Sequence, residues 1–197
     1  MSKPLINILI RTSERPHLFD RLMKSIDYPV NVIVSIDTDE KYPKKYDVEI
    51  VRVKHERRRG AKHFPWNLYF NRLLARVKDG YVIYLDDDVE LLPGVLKKIA
   101  ENVKKNKLLI WKYRFANGRV IPEKQFWGKQ PARQHIDSGC FAHHIEHAVK
   151  WDGGRAGDYR VARQLYQKIG AIWLDEVLVQ AANNGDNGRK NDIILPG

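Results

Sequence analysis

Apolar residues follow two rhythms along this chain. Leu5 to Ile10, Val30 to Ile36, Val48 to Val53 and Tyr81 to Leu85 are short, β-rich runs. Leu18, Phe19, Leu22, Met23 and Ile26 instead recur at three- and four-residue spacing, as do Phe70, Leu73, Leu74 and Val77, and later Val95, Leu96, Ile99 and Val103. The runs read as buried strands and the spaced sets as inward faces of helices. Pro16 and Pro93 suit the opening of a helix, and Gly80 suits the end of one. This β-α-β-α-β-α order predicts an α/β fold with a mostly parallel, doubly wound sheet, which places ligands outside the carboxyl ends of its strands.

The second half has a different pattern. Leu108 to Phe115 and Arg119 to Ile121 flank Asn117-Gly118, a hairpin-type turn signal, so a smaller mixed sheet is expected there. Glu123 to Ile136 has no periodicity and reads as a long functional loop that closes over a bound ligand. Val161, Leu165 and Ile169 mark a late helix ending at Gly170, Ile172 to Val179 reads as a strand, and the Asn/Gly/Asp-rich tail as loosely held. No repeat or linker interrupts the chain. One domain over residues 1–197 is expected, with a nucleotide-binding half at 1–92 and an acceptor half at 93–197.

Composition narrows the class. A chain of 197 residues hides about 70% of its unfolded surface on folding, enough for a core. Apolar residues make up 43% and charged ones 30%, which excludes disorder over most of the length. Lys and Arg outnumber Asp and Glu by 35 to 24, a formal charge of +11, which favours an anionic partner. Cys140 is the single cysteine, so no internal disulfide forms. No transmembrane run or signal-peptide pattern at Met1-Ser2-Lys3-Pro4 is read, and a cytoplasmic location is the expectation.

Against this basic background, Asp86-Asp87-Asp88 follows an apolar strand with no spacer. Three crowded carboxylates need protons or a cation, and an all-oxygen site selects a hard ion such as Mg2+ or Mn2+. The alternative is an acidic cap for the helix near Pro93, which one aspartate would satisfy. Arg57, Arg58, Arg59 and Lys62 precede Asn67 and read either as phosphate contacts or as a solvated face. Trp66 either stacks on a base or begins a buried helix face.

The run Tyr81-Val82-Ile83-Tyr84-Leu85-Asp86-Asp87-Asp88 resembles the strand and Asp-x-Asp motif of nucleotide-sugar glycosyltransferases with the Rossmann-like GT-A fold, family 2 above all. The resemblance extends to Ile6–Ile26 as the first β-α unit, to Asp37 and Asp39 after the second strand, and to Asn67. A fainter similarity is to small glycosyltransferases of large algal viruses, which would make the location host cytoplasm. The family likeness implies transfer of a sugar from a UDP-sugar to a carbohydrate or glycoconjugate acceptor. It implies that Asp86 faces the ribose and shares a metal with Asp88, that Asp87 orients the sugar or caps the backbone, that Asp37, Asp39 and Thr12 line the uridine pocket, and that Asn67 is a donor-binding residue, with Arg58 or Lys62 near phosphate.

Ser138-Gly139-Cys140-Phe141 resembles the turn into the acceptor half of such enzymes. Asp158 then stands where inverting relatives carry a catalytic carboxylate often written Glu-Asp, although Gly157 replaces the preceding acid. Asp158 is the candidate general base, with an N-cap as its competing role, Asp137 the reserve and Asp152 behind both. Seven histidines, His143, His144 and His147 above all, invite a metal reading, but most are read as helix surface, while His135 or His143 is a candidate extra metal ligand. A zinc site is not expected. The rival from another class is a nucleic-acid-binding protein or metal-dependent nuclease, supported by the basic charge and the acidic cluster but lacking a nucleic-acid-binding signature. A nucleotidyltransferase fits less well, because Arg11-Thr12-Ser13-Glu14-Arg15 has no glycine for close backbone approach to a triphosphate.

Overall fold

The two most apolar runs of the chain lie side by side. β1 (Ile6–Thr12) and β4 (Tyr81–Asp86) pair in parallel, from Ile6 opposite Tyr81 to Arg11 opposite Asp86. Both are covered on two faces: Ile6, Ile8, Leu9, Ile10, Val82, Ile83, Tyr84 and Leu85 have no solvent exposure. Such continuous apolar runs are the mark of strands sandwiched between helical layers. In this computed structural model residues 4–37, 42–55 and 64–182 are described. Asp39, Arg57, Arg58, Arg59, Lys62 and the Asn/Gly/Asp-rich tail lie outside them.

On the far side of β1 are β2 (Asn31–Ile36) and then β3 (Glu49–Arg52), both parallel to it. Beyond β4 the sheet turns mixed. β8 (Phe141–His144) runs antiparallel to β4 and to β6 (Leu108–Arg114). β9 (Ala171–Ala181) then runs parallel to β6, and β5 (Val89–Leu91) antiparallel to β9. The order β3-β2-β1-β4-β8-β6-β9-β5, with β7 (Val120–Ile121) paired to β6, is therefore a parallel half joined to a mixed half. The expected α/β architecture and its smaller mixed sheet are both present.

Helix α1 (Pro16–Lys24) begins with its proline, and α2 (Tyr69–Leu74) packs on β1 and β2. α3 (Val95–Asn102) buries Val95, Leu96 and Ile99, and α4 (Gly157–Ile169) packs on β6 and ends at Gly170. Gly80 has φ +92°, and a Cβ there would lie 2.5 Å from the Leu5 carbonyl oxygen, so glycine is needed where β4 enters beside β1.

The structure corrects three readings. The helix expected to open at Pro93 starts at Val95, after Gly94 in a left-handed conformation, and Val89–Leu91 ahead of it forms β5, held by β9. The helix expected around Phe70 to Val77 is shorter: α2 ends at Leu74 with Ala75 as its C-cap, and residues 65–68 ahead of it form a separate 3₁₀ turn. His143 and His144 are not on a helix surface but lie buried in β8. His143 Nδ1 lies 2.8 Å from the His144 carbonyl oxygen, which can only accept, so Nε2 accepts from the Tyr84 hydroxyl at 2.8 Å. Burial pushes His143 down to about 4, so it stays neutral near pH 7.

Candidate active site

The chain turns to opposite sides of β1 on leaving β1 and β4, since β2 lies to one side and β4 to the other. A doubly wound sheet places its ligand crevice at such a divergence, at the carboxyl edge of the parallel strands, where the loops after β1 and β4 lie. Arg11 arrives there at the end of β1 and Asp86 directly opposite at the end of β4. The Arg11 guanidinium grips both oxygens of Asp86, through Nε to Oδ1 and through Nη2 to Oδ2 at 2.8 Å. Its Nη1 donates to Asn67 Oδ1 at 2.6 Å, and its plane lies 4.6 Å over the Phe70 ring. Burial opposes the charge on Asp86, but Arg11 overrides it and holds this carboxyl below the usual carboxylate range.

Asp87 has no solvent exposure. Its Oδ2 accepts from the Thr12 hydroxyl at 2.6 Å and its Oδ1 pairs with Arg15 Nη2. The other arm of Arg15 donates to Asp88 Oδ2 at 3.1 Å, so one guanidinium straddles two consecutive aspartates. Burial, reinforced by Asp88 and opposed by Arg15, pushes Asp87 up to about 7. Burial and the neighbouring Asp86 push Asp88 upward as well.

Two more carboxyls join from the second half of the chain. Asp137 precedes the Ser138–Cys140 turn, and its Oδ1 accepts from Gly139 N at 3.0 Å and from Ser138 Oγ at 3.3 Å. Burial, then the charges of Asp158 and Asp86, push it up to about 7. Asp158 stands in the first turn of α4 and is pushed up to about 6 by burial, against its hydrogen bond from Tyr159 N and the attraction of Arg11. Tyr113 on β6 completes the group: burial and then the carboxylates Asp137, Asp88 and Asp86 raise its hydroxyl well above its ordinary value. Asp87, fully buried, and Asp86, Asp88, Asp137 and Asp158, each partly buried, thus share one electrostatic neighbourhood, and among the described residues these five carboxyls outnumber the arginines that act on them, Arg11, Arg15 and Arg160.

The remaining candidates are more dispersed. Asp37 ends near β2, with Oδ2 2.9 Å from His55 Nδ1 and accepting from the Tyr69 hydroxyl at 3.2 Å. Its Oδ1 is buried and makes no hydrogen bond among the described residues. Asp152 is forked by Arg160 and accepts from Gly154 N at 2.9 Å, a pairing that lowers its pKa. His135 stacks on Phe126 with ring centroids 3.7 Å apart. Among the described residues, no three His, Cys, Asp or Glu side chains are grouped as a metal cage.

Arg11, Arg15 and Tyr113 were not singled out in the sequence. The available signal was a pair of arginines flanking Thr12-Ser13-Glu14 at the end of the first strand, where a doubly wound sheet brings the loop after β1 to the loop after β4.

No protein-family model matches the chain, and no curated protein does. Solved structures do. S. aureus TarS 1-349 aligns at TM-score 0.70 and 16% identity, over 90% of this chain and 60% of that one. A longer S. aureus TarS structure aligns at 0.66 and 14%, over 91% and 37%. S. aureus TarS 1-349 in complex with UDP-GlcNAc aligns at 0.67 and 16%, over 95% and 61%. This chain therefore spans about 60% or less of the chains it resembles. The likeness is one of fold, a Rossmann-like GT-A domain.

Proposed function

We propose that this protein is a glycosyltransferase that moves a sugar from a UDP-sugar to an acceptor hydroxyl, with inversion at the anomeric carbon and with help from Mg2+ or Mn2+. The observation that carries this reading is the crowding of five carboxyls, which outnumber the arginines beside them among the described residues, at the carboxyl edge between β1 and β4. Among the described residues Asp86, Asp87, Asp88, Asp137 and Asp158 gather beside Arg11 and Arg15, with Arg160 near Asp158, at the edge where α/β sheets bind ligands. The shared fold with a protein solved in complex with UDP-GlcNAc supports the same reading.

The donor set suits a hard cation: it is all oxygen, and among the described residues its carboxyls outnumber the arginines Arg11, Arg15 and Arg160 beside them. Mg2+ typically takes one or two protein carboxylates and completes its shell with water and phosphate oxygens, so the lack of a three-residue cage does not oppose it. Asp88, which commits one oxygen to Arg15, would hold the ion, and Asp86 would join once Arg11 yields an oxygen. When bound, such an ion stabilises the negative charge that develops on the leaving diphosphate.

The chain's own groups supply the rest. Asp37, whose Oδ1 has no hydrogen-bond partner among the described residues, accepts from the uracil N–H or a ribose hydroxyl, and Thr12 and Asp87 fix the floor of the pocket. Asp158 accepts the proton of the acceptor hydroxyl as that oxygen attacks the anomeric carbon. The new C–O bond forms as the bond to the diphosphate breaks, and the electron pair leaves on the β-phosphate oxygen. Asp137, pushed higher than Asp158, remains the reserve base. Carbon-13 and proton NMR of the product from an α-linked UDP-sugar tests this: a β-linked product is expected, and an α-linked one contradicts inversion.

A further inference from the structure

Asn67 bridges the two halves of the crevice. It lies in the turn before α2, is only 8% exposed, and uses both ends of its carboxamide on protein. Oδ1 accepts from Arg11 Nη1 at 2.6 Å, while Nδ2 donates to the Gly154 carbonyl at 3.1 Å, in the loop that leads into α4. One turn later Asn71 grips the same loop, donating to the Trp151 carbonyl at 2.8 Å and accepting from Trp151 N at 2.9 Å. Trp151 in turn packs on Phe70 and Tyr84, with centroids 4.7 and 4.9 Å away, behind Arg11.

The first residue of α4 is shaped to this bridge. A Cβ on Gly157 would stand 2.8 Å from Asn67 Nδ2 and 3.4 Å from the Trp151 ring. Any side chain at position 157 would have to displace Asn67. We propose that Asn67 is a positioning residue that ties the Arg11–Asp86 pair to the start of α4 and so sets where Asp158 stands. The inference rests on Asp158 being the base of the proposed transfer. It assigns Asn67 an action through Arg11 and Gly154, in place of contact with the donor. It also explains Gly157 as the complement of an asparagine 90 residues earlier in the chain.

The test is a double-mutant cycle of Asn67→Ala and Gly157→Ala, with Asn67→Ser as the milder variant should Asn67→Ala fail to fold. Each single change is expected to lower kcat by about 10- to 100-fold through misplacement of the base, with the affinity for UDP within about threefold of the original. The double variant should be no worse than the worse single, because the alanine at 157 fills space that Asn67 has vacated. In parallel, the Asp158 carboxyl is followed by carbon-13 NMR in donor-free protein, assigned with Asp158→Asn. Its midpoint is expected to fall toward the ordinary carboxylate value in Asn67→Ala, since the loosened loop admits water beside Arg11, Asp86, Asp137 and Arg160. Fully additive losses, or an unchanged Asp158 midpoint, overturn the proposal. A protein that never turns over a UDP-sugar defeats the transferase reading separately, and the NMR midpoint still decides the role of Asn67.

Discussion

Arg11 and Asp86 are register partners across β1 and β4, and their side chains close a two-pronged ion pair at the carboxyl edge of the sheet. The pair is largely buried, with side-chain exposures of 14% and 27%, so removing one member strands the other in a poorly solvated place. Arg11→Ala is expected to lower stability by about 3–5 kcal/mol, read as a fall in the urea midpoint at unchanged slope. Arg11→Lys should recover only part, because a single ammonium cannot fork onto a carboxylate. A loss within about 0.5 kcal/mol for Arg11→Ala would contradict a coupled pair.

Asp87 is held more tightly than its neighbours, by Thr12 on one oxygen and Arg15 on the other. Thr12→Val removes a donor while nearly keeping the shape, and should cost about 1–3 kcal/mol by leaving a buried carboxylate oxygen unpaired. The same urea titration checks it. A neutral result would mean that water or another donor replaces the hydroxyl.

Much of the fold was readable from pattern, because β1, β2 and β4 are buried on both faces and so carry nearly unbroken apolar runs. β8 escaped because two of its four residues are histidines, and only burial against Tyr84 makes His143 a core residue. β5 escaped because three residues following three aspartates carry no period, and only pairing with β9 defines them as a strand. At the site, the Asp86–Asp88 cluster was plain from charge crowding after a strand. Its counter-charges were not, since Arg11 and Arg15 meet it only through the β1–β4 pairing, some 75 residues apart in the chain.

The proposed base imposes a pH dependence. Asp158 must be ionised to accept a proton, and burial pushes it up to about 6. The ratio kcat/KM is therefore expected to rise with pH through about 6 and level above it. Asp158→Asn should lower kcat by about 100- to 10,000-fold while leaving UDP affinity nearly unchanged. An acid limb that persists unaltered in the residual activity of Asp158→Asn would assign the titration to another group, Asp137 first.

Stability should run the other way with pH. Asp137 and Asp158 hold protons in the folded chain at pH values where the unfolded chain has released them. With more protons bound folded than unfolded at these two groups, their contribution to stability falls as pH rises from about 4 to 7, against the opposite contribution of buried His143. Asp137→Asn keeps an acceptor for Gly139 N, removes one buried charge, and should raise the melting temperature at pH 8 by about 3 °C or more. It should have little effect at pH 4. A shift of the same size at both pH values would show that ionisation is not its cause.

The central claim is a nucleotide-diphosphate site completed by a cation at Asp88, and titration calorimetry with UDP, with and without Mn2+, measures it most directly. Binding should strengthen by about tenfold or more with the ion, and that gain should vanish in Asp88→Ala while the folded state survives by circular dichroism. UDP binding that ignores both the ion and the substitution would contradict a metal held by Asp88, and no binding under any condition would contradict the donor site itself.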